Sequence, residues 1–129
     1  MNVEIVVSEN FRKEAKKYLK KFRSLKEELA DFEKSLQNDP KQGTKLTEVT
    51  YKVRLASKSK GKGKSGGFRI ITYLLETIEG ENAEIQIVVT LLSIYDKSET
   101  STLSESDISA LIKDFLLQKE EEINEDEDT

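Results

Sequence analysis

The chain has 129 residues and a mass of 14.7 kDa, enough for one domain whose core needs no disulfide or metal. It contains no cysteine and no histidine, which excludes disulfides, zinc catalysis and histidine-based triads and leaves Lys, Arg, Tyr, Ser, Asp and Glu for any chemistry. No apolar run approaches the roughly 18 residues of a membrane span, and the N-terminus lacks the pattern of a signal peptide. We therefore expect a cytoplasmic protein.

Charge is distributed unevenly along the chain. The formal net charge is -4, but residues 120–129 hold seven acidic side chains and no basic one, so residues 1–119 alone carry +3. An acidic segment with so few apolar groups is typical of a frayed helix end or a disordered tail. We expect a single domain over residues 1–119 and such a tail over residues 120–129. The alternative is an intramolecular decoy that competes for the basic surface.

The N-terminal third predicts a strand and a helical hairpin. Val3, Ile5 and Val7 alternate as in a short strand, and Ser8 can cap the helix that follows. A capping box formed by Ser24 and Glu27 predicts the start of a second helix. The apolar positions at helical spacing are Phe11, Ala15, Tyr18, Leu19 and Phe22 in the first helix, and Leu25, Leu29, Phe32 and Leu36 in the second.

The outer face of the first predicted helix is basic. Its cations are Arg12, Lys13, Lys16, Lys17, Lys20 and Lys21, against the single acid Glu14. A solvated helix face is one interpretation of this pattern. The other is a surface that contacts the phosphate backbone of structured RNA, in which Lys13, Lys16, Lys17 and Lys20 take part.

From residue 49 the apolar period changes from helical spacing to two, which predicts three strands. They cover residues 49–55, 67–75 and 85–95, with a turn at residues 79–82, and short connections favour an antiparallel meander. The alternation places Val49, Tyr51, Val53 and Leu55 on one face of the first strand, Lys52 and Arg54 on the other, and Arg69, Ile71 and Tyr73 together on one face of the second. Tyr51 is expected in the core, whereas for Tyr73 both a core position and a contact with RNA are possible.

A last helix is predicted after residue 104. Ser104 and Asp107 form a capping box, and Leu103 and Ile108 have the spacing of a hydrophobic staple. The predicted fold class is therefore α+β, in the order β-α-α-β-β-β-α. It has an antiparallel sheet core, an N-terminal helical hairpin and a C-terminal helix.

The connection between the first two strands of the meander is rich in lysine and glycine. In this segment, residues 57–67 and hereafter the Lys/Gly segment, Lys58, Lys60, Lys62 and Lys64 occupy every second position. Residues 49–75 hold seven basic side chains and no acidic one, a pattern that favours binding of a polyanion, RNA first. A phosphate-binding P-loop is excluded because Lys58 stands where its first glycine belongs and because a strand, not a helix, follows. A mobile hairpin made soluble by its charge is the remaining alternative.

Two stretches resemble the HigB-like branch of the RelE/ParE toxin superfamily of bacterial toxin-antitoxin modules. They are VRLASKSKGKGKSGGFRIITYLL and, after a spacer, LLSIYDKSETSTLSESDI, and the resemblance in element order covers nearly the whole chain. It implies a RelE-like fold and a ribosome-dependent mRNA endonuclease, a toxin that arrests growth by inhibiting translation. It also implies neutralisation by a cognate antitoxin, often a HigA-like protein with a helix-turn-helix domain. Neither a metal, a cofactor nor a membrane is implied.

Cleavage by attack of the 2′-OH requires a base, cations that stabilise the charge on phosphorus, and an acid for the leaving oxygen. Arg69, Tyr95 and Lys97 occupy positions that match the motif, and we expect Arg69 to stabilise the transition state with help from Arg54. Tyr73 is a candidate to stack on a base. The general base is Lys52, Lys62 or Lys64, because neighbouring cations lower the pKa of a lysine, and Tyr95 or Lys97 donates the proton or orients the phosphate. Some superfamily members use a histidine that this chain lacks.

Two other functions stay open at this point. ParE-like relatives of the same fold poison DNA gyrase by binding and hydrolyse nothing, although the Lys/Gly segment followed by GGFR matches the endonuclease branch better. A non-catalytic module that binds RNA or the ribosome is the third possibility.

Overall fold

The computed structural model describes residues 1–61, 66–100 and 102–127, and within these ranges the chain forms five strands and three helices. In chain order the elements are β1 (Asn2–Val7), α1 (Glu9–Lys21), α2 (Leu25–Asn38), β2 (Thr44–Lys45), β3 (Thr50–Leu55), β4 (Phe68–Glu79), β5 (Glu84–Asp96) and α3 (Glu105–Glu127). The α+β class and the predicted order are confirmed, with β2 as an addition. A two-residue strand is too short to show the alternation by which strands are recognised.

The strands form one sheet in the order β1-β5-β4-β3-β2. The meander of β3, β4 and β5 is antiparallel, as predicted. The sheet is nevertheless mixed, because β1 runs parallel to β5, from Asn2 opposite Gln86 to Val7 opposite Leu91. The expectation of a purely antiparallel sheet was therefore wrong at this edge. The partner of β1 lies more than 80 residues away in the chain, and local periodicity carries no information about such a pairing.

Helices cover both faces of the sheet. The main core lies under α1 and α2, where Phe11, Leu25 and Leu36 meet the inward residues of β3, β4 and β5. A smaller cluster on the opposite face is covered by α3 and by the segment before it. Tyr51 lies in the main core, as expected, but Val49 packs on the opposite face because it precedes β3 and does not share its alternation.

Two of the three predicted helix caps are confirmed. Ser8 Oγ accepts a hydrogen bond from the Phe11 N–H at 3.0 Å, and the box of Ser104 and Asp107 closes with two bonds of 3.1 Å. The box predicted at Ser24 is wrong. Ser24 has helical backbone angles and makes no side-chain cap bond; its hydroxyl instead contacts Ser59 at 2.7 Å, which ties the start of α2 to the Lys/Gly segment.

The C-terminal helix is longer than predicted. α3 continues to Glu127, so residues 120–127 of the expected frayed tail are helical, whereas residues 128–129 lie outside the described ranges. Glutamate is a good helix former, which accounts for the helical conformation of this acidic segment. No helix in the described part of the chain is both long and apolar enough to cross a membrane.

Helix α1 completes the edge of β5 where β1 stops. β1 ends at Val7, opposite Leu91, and β5 continues to Asp96. Beyond that point Glu14 Oε1 accepts a hydrogen bond from the Ile94 N–H at 3.3 Å, and the Tyr18 hydroxyl accepts one from the Asp96 N–H at 3.1 Å. Burial raises the pKa of Glu14, although its hydrogen bonds oppose the shift. Side chains of α1 thus replace a strand along the last residues of β5.

Replacing Tyr18 with Phe tests this edge contact. The variant leaves the buried Asp96 N–H without an acceptor, which we expect to lower the free energy of unfolding by about 1–3 kcal/mol in urea titrations. Tyr51→Phe is the matched control, because Tyr51 is also buried and none of the described hydrogen bonds involves its hydroxyl; it should change stability by less than about 0.5 kcal/mol. Equal effects of the two variants would show that the contact contributes nothing specific.

Candidate nucleic-acid interface

Three predicted site residues form one row across the meander. Arg54 of β3 lies directly opposite Arg69 of β4, and Arg69 lies directly opposite Tyr95 of β5. Directly opposed residues of antiparallel strands project from the same face of the sheet. We call these residues the Arg-Arg-Tyr row. It lies at the end of the sheet where the Lys/Gly segment connects β3 to β4.

The central member of the row is almost completely buried. Arg69 is 3% exposed, and its Nη1 donates a hydrogen bond to the Phe68 carbonyl at 3.2 Å. Burial lowers the pKa of Arg69, and the neighbouring charge of Arg54 lowers it further, whereas Tyr95 acts in the opposite direction. The prediction that Arg69 lies beside Arg54 and Tyr95 is confirmed, but its guanidinium is not an open contact surface.

Tyr95, the phenol at one end of the row, lies beneath the segment around Thr102 that precedes α3. Tyr95 is 4% exposed. Burial raises its pKa, while Arg69 and a side-chain hydrogen bond with Thr102 oppose the shift. A small cavity of about 100 Å³ lies here, with Lys52, Tyr95, Thr102 and Glu105 among its lining residues. The phenol is therefore protonated at neutral pH and faces a cavity lined by both polar and apolar side chains.

The accessible cations of this face are on β3. Arg54 is exposed and Lys52 is half-buried, two positions apart on the same side of the strand. Lys97 is exposed just beyond β5, and its N–H donates to the Gly67 carbonyl at 3.5 Å. Tyr73, a candidate for stacking on a base, is only 8% exposed and packs in the cluster under α3. Its ring therefore has little surface free for a base.

The Lys/Gly segment is partly fixed to the body of the protein. The Lys58 N–H donates to Glu28 Oε2 of α2 at 2.8 Å, and the Lys58 side chain is left exposed. A Cβ atom at Gly67 would collide with the carbonyl of Leu55, so the close approach of this segment to β3 requires glycine. Lys62 and Lys64 lie outside the described residues.

Lys60 does not extend into solvent as predicted for an RNA-binding residue. Its side chain is 9% exposed and forms an ion pair with Asp96, which is 5% exposed. The ammonium group also lies 5.1 Å from the ring centre of Phe68 and 5.5 Å from that of Phe22. Lys60 is therefore not a solvent-exposed cation, because a buried carboxylate and two aromatic rings hold it inside.

Asp96 is the acidic half of this pair and was not predicted as a site residue. Burial alone would raise its pKa, but the hydrogen bond from Lys60 and two from Ser98 outweigh burial, so the pKa of Asp96 is lowered. The Ser98 N–H and hydroxyl lie 2.9 and 2.8 Å from Asp96 Oδ1. A signal was present in the sequence, since Asp96 is an acid at the end of a buried strand close to many cations.

The basic outer face of α1 is solvent-exposed, as predicted. Its cations are Arg12, Lys13, Lys16, Lys17, Lys20 and Lys21. Lys17 is engaged by Glu99 at 3.3 Å, and Glu99 also accepts a hydrogen bond from the Tyr18 hydroxyl at 3.2 Å. This face is separate from the Arg-Arg-Tyr row, which projects from the opposite side of the sheet.

Comparison of the chain with protein-family models, curated proteins and solved structures found no match. Among the described residues, no group of three or more acidic side chains is arranged to hold a metal ion.

Replacing Asp96 with Asn tests the buried pair. The ammonium of Lys60 would lose its carboxylate, and we expect the free energy of unfolding at pH 7 to fall by about 3 kcal/mol. The folded-state pKa of Asp96 lies below the ordinary value of 3.8, so the carboxylate stabilises the fold above that value and loses this effect as the pH falls through the folded-state pKa. The difference from wild type should therefore shrink below about pH 4.

Urea titrations from pH 7 to pH 3 measure this difference. Asp31→Asn is the control, because Asp31 is exposed on α2 and takes part in none of the described ion pairs; it should stay within about 0.5 kcal/mol of wild type. A difference that is the same at every pH would contradict the assigned role of the Asp96 charge.

Proposed function

We propose that this protein is a toxin of the RelE/ParE superfamily, HigB-like, that cleaves mRNA on the ribosome and is neutralised by a cognate antitoxin. The observation that carries the proposal is the register of the Arg-Arg-Tyr row, which joins two guanidinium groups and a phenol on one face of the sheet. The motif resemblance assigns two of these residues to the endonuclease site, and strand geometry adds the third. The order of helices and strands is consistent with a RelE-like fold.

In this proposal, Arg54 contacts the scissile phosphate directly. It is the exposed member of the row, and a guanidinium can donate two parallel hydrogen bonds to phosphate oxygens. Arg69 is a positioning residue. Its buried positive charge repels Arg54 and thereby favours conformations in which the Arg54 side chain points away from the sheet. The combined charge stabilises the anionic transition state.

Proton transfer is assigned to the residues beside the row. Lys52 is half-buried two positions from Arg54 and is the described candidate for the base that accepts the 2′-OH proton. Tyr95 is protonated at neutral pH, as its raised pKa requires, and its hydroxyl is the described candidate to donate a proton to the 5′-oxygen leaving group. Lys97, at the open end of β5, is the alternative acid or a phosphate contact. Lys62 and Lys64 are the other candidates for the base.

The positive charge of the exposed surface indicates which partners the proposed toxin would bind. The exposed cations of α1 and Arg54 provide attraction to the phosphate backbones of mRNA and ribosomal RNA. The antitoxin, which we expect to be a HigA-like helix-turn-helix protein, would neutralise the toxin through an acidic or amphipathic segment. That segment covers the basic surface or prevents entry into the ribosome.

The replacement Arg54→Gln tests the proposed activity. Because Arg54 is exposed, the fold should be retained, and circular dichroism and urea titration check this. Loss of one donor to the transition state should reduce cleavage by about 100-fold or more, measured by mapping mRNA 5′ ends after induced expression. Growth arrest should disappear with it.

Lys34→Gln is the matched control, because Lys34 is an exposed cation on α2, away from the row. It should cleave translated mRNA as wild type does. Unchanged cleavage by Arg54→Gln would refute the assigned site. A wild-type protein that induces a DNA-damage response without mRNA cleavage would instead identify a gyrase inhibitor.

A further inference from the structure

A second concave site lies on the helix-covered side of the sheet, at the same end as the Arg-Arg-Tyr row. It is a cavity of about 610 Å³, here called the helix-side pocket, between the C-terminus of α1, the Lys/Gly segment and the end of β5. Its principal lining residues are Lys21, Phe22, Ser59, Lys60, Lys97 and Ser98. A cavity of this size accommodates a nucleotide and is far larger than a single phosphate requires.

The helix-side pocket carries a net positive charge. The charge of Lys60 is compensated by Asp96 in the wall. Lys21 and Lys97 are exposed, and neither takes part in an ion pair among the described residues. Two uncompensated ammonium groups therefore flank the opening. An anionic ligand would be attracted there, and a cationic one repelled.

The pocket also offers an aromatic surface. Phe22 is the C-cap residue of α1 and is partly buried. Its ring packs edge-on against that of Phe68, with the ring centres 5.4 Å apart and an angle of 77° between the ring planes. The ammonium of Lys21 lies 5.4 Å from the centre of the Phe22 ring. An aromatic ring beside unpaired cations is the combination by which proteins bind single-stranded nucleic acid, the base stacking on the ring and the phosphate meeting the charge.

Hydrogen bonds hold two of the described lining residues of the pocket in place. Ser98 holds Asp96 through its N–H and its hydroxyl, and the Ser59 N–H donates to Ser24 Oγ at 3.0 Å. A site whose walls are already ordered loses less entropy on binding than one that must fold around its ligand.

We propose that the helix-side pocket binds one ribonucleotide of single-stranded RNA, with its base against Phe22 and its phosphate between Lys21 and Lys97. The proposal rests on the proposed function, because it places this nucleotide next to the one whose phosphate is cleaved. Tyr95 and Asp96 are consecutive residues of β5 whose side chains face opposite sides of the sheet. An RNA strand that passes around the end of the sheet at Lys97 would meet both sites.

Binding is tested by fluorescence anisotropy with a labelled single-stranded RNA hexanucleotide, using the full chain with Arg54→Gln to prevent cleavage. Adding Phe22→Leu, which keeps apolar volume but removes the ring, should weaken binding about tenfold. Adding Lys21→Gln and Lys97→Gln together should reduce the slope of log affinity against log salt concentration by about 0.7, because the contact to one phosphate is lost.

The matched control for the lysines is Lys26→Gln with Lys34→Gln, two exposed cations on α2, which should leave the slope unchanged. Competition with adenosine monophosphate and with inorganic phosphate distinguishes the ligand classes. The nucleotide should displace the RNA in the parent protein and lose this effect in Phe22→Leu. Equal displacement by inorganic phosphate would show an anion site and overturn the nucleotide assignment.

Lys21 and Lys97 are on the surface, so their replacement should not unfold the protein. An unchanged salt slope in that double variant would therefore overturn the proposal, even if Phe22→Leu were too unstable to measure. Its failure is separable from that of the proposed function. The pocket is tested by binding in a protein that cannot cleave, and the function by cleavage in a protein whose pocket is intact.

Discussion

The buried ion pair between Lys60 and Asp96 is the contact on which the arrangement at this end of the sheet depends. It joins the middle of a glycine-rich connection to the last residue of β5, against the rings of Phe22 and Phe68. Removing two charges from water is costly, and the two hydrogen bonds from Ser98 offset part of that cost. Within the described part of the Lys/Gly segment, this pair anchors Lys60 to the end of β5.

The alternation of side chains in β4 and β5 lets one pair of strands contribute to both faces. Arg69 and Tyr95 project towards α3, whereas Phe68 and Asp96 project towards α1. The proposed cleavage site and the helix-side pocket are therefore built from neighbouring positions of the same strands. A shift of one residue in the register would exchange the two sets and destroy both sites. The register is set by the buried residues of the main core.

Much of this fold could be predicted from the sequence, because its helices and its meander have clear periodicity. Arg69 and Tyr95 were expected from the motif resemblance and Arg54 from charge and strand geometry, and the strand register brings the three together. The pairing of β1 with β5 could not be found this way, because it joins distant segments. Nor could the sequence reveal that Lys60 turns inward while Lys58 stays exposed, since the orientation of Lys60 depends on a carboxylate 36 positions along the chain. For the same reason the sequence did not predict a role for Asp96, although its neighbours Tyr95 and Lys97 were predicted site residues.

The side chains of α1 that cap the end of β5 also bear on the behaviour of the protein at high concentration. An uncovered strand offers free N–H and C=O groups to any other chain, and this is a common route to aggregation. Here Glu14 and Tyr18 occupy the N–H groups at the end of β5 that β1 leaves uncovered. On the other side of the sheet the outermost strand, β2, is only two residues long, too short to template a partner. The outer side of β1 is therefore the longest free strand edge of the described sheet, and it is the edge to which another extended chain could add.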